Sequence, residues 1–116
     1  MSTEAFDLLF DAGRRQRFAD LADVRTPMHI PDLSDPALDD LLAGVEVLVT
    51  SWGAPRFDAH LLDRLPRLRA VFHAAGSIRH HVSEEFWERG IRITTAADAN
   101  AVPVAEFTLA VILLAG

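Results

Sequence analysis

The run Val45-Glu46-Val47-Leu48-Val49-Thr50 constrains this chain more than any other stretch. It is β-branched and almost continuously apolar, the pattern of a strand covered on both faces. Leu68 to Ala74 and Ile91 to Thr94 repeat it. The stretches between read as short helices. Ser34 or Asp35 caps one, with Pro36 at its first position, Leu38, Leu41 and Leu42 as its stripe and Gly44 at its end. Asp58 caps a second, with Leu61, Leu62 and Leu65 inward and Pro66 closing it. Ser83 opens a third, which turns Phe86 and Trp87 inward and ends at Gly90.

Strands alternating with helices of this length imply a parallel sheet with right-handed crossovers, so the expected class is α/β, flavodoxin-like in its strand–helix rhythm. The ends fit that rhythm less well. Glu4 to Val24 reads as helix with a break at Gly13, although Phe6 to Phe10 is also compatible with a short strand. Thr26 to Ile30 reads as a short edge strand beside Pro27 and Pro31. No strong apolar strand opens the chain. A last helix is expected from about Ala101, with Pro103 in its first turn, after a loop over Ala96 to Asn100.

Composition narrows the function classes. Of 116 residues half are hydrophobic and 24% are charged, a globular profile for one domain. The absence of cysteine removes disulfides, thiolate metal sites and cysteine nucleophiles. A net charge of −6, with all 11 basic residues arginine, disfavours the phosphate contacts that dominate nucleic-acid affinity. Glu4 and Asp7 argue against a targeting peptide, and no run of 18 apolar residues suggests a membrane span. The expectation is therefore a cytoplasmic protein with neither nucleic-acid nor membrane partners.

Ligands of open α/β sheets gather at the carboxyl ends of the strands. Three loops fall there: Ser51 to Pro55, His73 to Ile78 and Ala96 to Ala101. Gly76 and Ser77 can present successive backbone N–H groups to an anion, and Asn100 offers an amide beside a helix start. A tight turn at Gly76 and an ordinary cap at Asn100 account for the same residues. His73 reads as a core or rim histidine. His80 and His81 are adjacent and cannot share one metal from a helix face, and His80 with Glu84 reads as a surface pair, so no metal site is expected. Gly-x-Gly-x-x-Gly, the P-loop and the Gly-x-Ser-x-Gly elbow are all missing.

Three linked pieces carry a resemblance. Leu65-Pro66-Arg67-Leu68-Arg69-Ala70-Val71 is followed by His73-Ala74-Ala75-Gly76-Ser77-Ile78 and His81-Val82; then come Arg89-Gly90-Ile91-Arg92-Ile93 and Asn100-Ala101-Val102-Pro103-Val104-Ala105-Glu106. In order and spacing they resemble the amino-terminal part of the NAD-dependent D-2-hydroxyacid dehydrogenases, over a little under half the chain. The resemblance implies a two-domain oxidoreductase that moves hydride between NAD or NADP and C2 of a small 2-oxo or 2-hydroxy acid. It implies that Ala75, Gly76, Ser77 and Ile78 bind the substrate carboxylate through backbone N–H groups. Asn100 matches the substrate-holding asparagine of the related formate dehydrogenases, and Trp52 and Gly53 fall where the family lines its cleft. The loop is about one residue longer than the common pattern, and Arg79 stands where many members carry an acidic or amide residue.

The family's catalytic arginine, glutamate and histidine, and its nucleotide fingerprint, have no counterpart in these residues. The expectation is thus a substrate-domain fragment, residues 1–100, with 101–116 beginning the interdomain helix. Alone it would bind no NAD and turn over no acid. Val111 to Leu114 would lack cover, so self-association through 101–116 is expected. The competing expectation is a stand-alone, non-catalytic α/β module binding a small anion or a partner chain.

Overall fold

The computed structural model describes residues 1–116. Three parallel strands form its centre: β1 (Val47–Thr50), β2 (Ala70–His73) and β3 (Arg92–Thr95). They lie side by side in sequence order, β1-β2-β3. The register sets Thr50 beside His73 and His73 beside Thr95, so each strand ends on a polar residue in one row. The α/β class with a parallel sheet is therefore present.

The connections form as their caps dictate. Asp35 accepts from the Ala37 N–H at 2.9 Å and starts a 3-10 turn, Pro36–Leu38, that runs into α3 (Asp39–Ala43). Asp58 accepts from Leu61 N–H at 2.9 Å at the head of α4 (Ala59–Asp63). Ser83 accepts from Phe86 N–H while donating to the Phe57 carbonyl, fixing α5 (Glu84–Glu88) to the strand-like link at Phe57. Phe57 and Phe86 meet at 5.5 Å between ring centroids, wholly buried, among Leu42, Leu61, Leu62 and Val71. This core covers one face of the sheet. Trp87, expected inward beside Phe86, is exposed instead, since neighbouring helix residues lie about 100° apart and Phe86 takes the core direction.

The opposite face is thinly covered. Residues 3–21 are helical, but the break is at Phe10 and Asp11, not Gly13: α1 spans Thr3–Leu9 and α2 spans Ala12–Leu21. Asp11 accepts from Arg14 N–H at 2.9 Å, and this cap starts the second helix ahead of Gly13. Met1, Ala5 and Phe10 pack with Phe18 against Val49. Thr26 to Ile30 forms no strand; Pro27 lacks the N–H an edge pairing would use. Val47 and Phe72, on this face, stay half exposed.

The last helix, α6 (Ala97–Ala115), starts four residues earlier than expected and holds Pro103 inside it. Ala97, Asp98 and Ala99 extend the helix toward β3, so the stretch expected as a loop is its first turn, and Asn100 stands within it, not at its cap. None of its residues is buried. By length and composition it suffices to cross a membrane, with a mean hydropathy of 1.5 over 18 residues. Asp98, Asn100 and Glu106 punctuate it, so no uninterrupted apolar run marks it in the sequence.

Candidate functional site at the strand ends

The carboxyl ends of β1, β2 and β3 bring together a polar cluster that the sequence indicates only in parts. Thr50 Oγ1 lies 3.0 Å from His73 Nδ1, and Ser51 Oγ donates to the Ala74 carbonyl at 3.1 Å. Thr50, Ser51 and His73 are all buried. The His73 ring lies 5.1 Å from that of His81, whose Nδ1 is 3.2 Å from the Pro55 carbonyl. Burial holds the His73 pKa below the ordinary histidine value, and the positive charge that His81 and the amino terminus can carry lowers it further. His73 is thus a buried neutral imidazole under the loops, consistent with a core or rim histidine. The sequence signal that marks the group is the polar residue closing each apolar strand run: Thr50, His73 and Thr95. Its assembly depends on strand register, which single runs do not encode.

Above this cluster lies the loop after β2. Ala74 N–H still follows the sheet, donating to the Thr50 carbonyl at 2.7 Å. The next four N–H groups, of Ala75, Gly76, Ser77 and Ile78, donate to no acceptor in the protein. Ser77 Oγ accepts from Arg79 N–H at 3.3 Å, and the Ile78 carbonyl accepts from His81 and Val82 N–H, which closes the loop. Of the four residues only Ala75 is buried, so water can serve these donors, and a small anion that reached the loop would find them unoccupied by the protein.

Asn100 completes the arrangement. Ala96 N–H donates to the carbonyls of both His73 and Ala75, which ties the start of α6 to the loop after β2. A Cβ on Gly76 would stand 3.5 Å from Asn100 Nδ2. A Cβ at that distance would make only ordinary contact, so the approach does not depend on glycine, and the structure brings Gly76 and Asn100 together across the loop–helix junction.

Trp52 and Gly53 are placed differently. They form the turn after β1, where the Trp52 carbonyl accepts from Ser2 N–H at 3.0 Å. Gly53 has φ +76°, and a Cβ there would stand 3.0 Å from Ser2 N. The left-handed turn and the close amino-terminal segment account for this glycine. Trp52 is half exposed at the same strand end. No three histidine, aspartate or glutamate side chains converge into a metal cage.

No protein-family model, no curated protein and no solved structure matches the chain.

Proposed function

We propose that this chain carries the carboxylate-binding side of a flavodoxin-like substrate domain of the D-2-hydroxyacid dehydrogenase kind, taking a small 2-oxo or 2-hydroxy acid. One observation carries the reading. The N–H groups of Ala75, Gly76, Ser77 and Ile78 have no acceptor in the protein, at the carboxyl end of a central parallel strand, and Gly76 among them stands beside the Asn100 amide. Such a nest suits a carboxylate, whose oxygens accept several charge-assisted bonds at once. The Asn100 amide supplies a further donor for the same group or for the neighbouring C2 oxygen. The three-piece motif of the sequence supports the same residues.

Hydride chemistry would need NAD or NADP, and these residues do not fit a dinucleotide. The turns after the strands hold single glycines, Gly53 and Gly76, and no turn offers the glycine-rich approach a pyrophosphate requires. No step through the nicotinamide is assigned to this chain. Within the reading, the 116 residues bind and orient the acid and do not turn it over. The missing dinucleotide cradle equally favours a second reading, a non-catalytic module holding a small anion in the same nest.

Titration calorimetry tests both. The dehydrogenase reading expects pyruvate to bind at least about tenfold more tightly than isobutyrate, which keeps the carboxylate and loses the 2-oxo acceptor, a difference of about 1.4 kcal/mol. It expects Asn100→Leu to abolish that preference. Equal binding of the two acids would favour the anion module, and binding of neither would remove both readings.

A further inference from the structure

We propose that α6 of one chain lies in the groove over the thinly covered sheet face of a second copy, in a reciprocal exchange. The inference does not rest on the dehydrogenase reading; it rests on two unpartnered apolar surfaces and their areas. The first is α6 itself. Its apolar residues run around the whole helix, and Phe107 is 71% exposed and Leu114 87%. A helix apolar on all sides belongs inside protein or lipid. The second is a groove of about 790 Å³ between the sheet face and residues 18–31, floored by Val47, Val49 and Phe72 and walled by Phe18, Leu21 and Met28. Val47 is 50% exposed and Phe72 49%.

The areas fit a dimer. The chain exposes 7940 Å² at 12.8 kDa, whereas a compact monomer of that mass exposes about 6,300 Å². The surplus of roughly 1,600 Å² per chain would bury about twice that in a pair, within the range of obligate dimers. The radius of gyration agrees: 16.3 Å, against about 13 Å for a compact chain of this length.

Charge points to protein and not lipid as the cover. Glu106 falls at the middle of α6, where a bilayer would place it at its costly midplane, and the helix carries no arginine. The groove rim offers Arg25, which has no carboxylate partner within salt-bridge distance, while the other arginine of the groove, Arg67, is held by Glu46 at 2.5 Å. Asp23 also lines the rim, and Arg25 is the arginine there that no carboxylate holds, which leaves it for Glu106. A bilayer would moreover leave the sheet face bare. Exchange with a second copy covers both surfaces and closes as a two-fold pair.

The chain has no cysteine, so single-cysteine variants report cleanly. Arg25→Cys and Glu106→Cys chains are mixed under mild oxidation, with circular dichroism confirming the fold of each. The inference expects disulfide dimers that join one chain of each variant, in clear excess over dimers of either variant with itself. It further expects Arg25→Glu or Glu106→Arg to weaken the dimer about tenfold in sedimentation, and the double reversal to restore it. Four results would overturn it: disulfide dimers of the Glu106→Cys variant with itself alone, which place helix against helix; a clean monomer at tens of micromolar; monomers that partition into phosphatidylcholine vesicles; or a dimer indifferent to both reversals.

Discussion

Two glycines separate backbone strain from crowding. Gly53 and Gly90 both sit in the left-handed region, at φ +76° and +68°. A Cβ on Gly90 meets nothing within 4 Å, whereas one on Gly53 meets Ser2 N at 3.0 Å. Gly90→Ala should therefore cost about 1 kcal/mol, the lower end of the left-handed penalty, and Gly53→Ala about 2 kcal/mol or more. Urea denaturation of the two variants checks the order; equal losses would show that the amino-terminal segment yields. His73 gives the pH dependence. Its folded pKa lies below the ordinary value, first through burial and then through the charges of His81 and the amino terminus. Between the folded value and about 6.5 the unfolded chain binds the proton and the folded chain does not, so stability rises with pH across that window. It is complete above about pH 6.5 and declines as pH falls toward the folded pKa. Thermal midpoints from about pH 7 to about pH 5 should fall, and His73→Asn should flatten the part of the fall nearest about pH 6; an unchanged slope would remove His73 from the account.

Among the elements, stability and exposure divide along the chain. Phe86 is wholly buried against Phe57, so Phe86→Ala should cost about 3–5 kcal/mol and unfold much of the sheet's covered side. Phe107 on α6 touches no core, so Phe107→Ser should leave the unfolding midpoint of the dilute monomer within about 0.5 kcal/mol of the parent. Both are read by urea titration at low protein concentration. The elements legible in the sequence are those whose signals are local. Asp35, Asp58 and Ser83 cap helices where expected, and three apolar runs become the three strands. The misread ones depended on what lay elsewhere. Asn100 and Pro103 look like a helix start, yet Ala96 bonded to β2 lets the helix begin earlier. Gly13 looks like a break, yet the Asp11 cap ahead of it sets the boundary. Of the site, the loop residues are legible as strand-end loops. The approach of Gly76 to Asn100 and the His73–His81 contact are not, because both follow from register and loop path.

The whole molecule is extended, 56 × 34 × 23 Å, with one face of its sheet packed and the other awaiting cover. The proposed reading assigns the packed side to support of the strand-end loops and α6 to a partner. In that proposed reading the chain orients an acid without reducing it, so the purified chain should show no oxidation of NADH with pyruvate or glyoxylate above the blank. Everything proposed of its chemistry requires the loop after β2 and Asn100 to form one carboxylate site. Backbone amide shifts of ¹⁵N-labelled chain during a pyruvate titration decide whether they do. Saturable shifts are expected at Gly76, Ser77 and Ile78 together with the Asn100 side-chain amide, and in Asn100→Leu the loop shifts should saturate only at higher pyruvate, at the concentrations isobutyrate requires. Shifts that grow linearly without saturation, or that saturate in the groove beside Phe72 and not at this loop, would show that no such site exists.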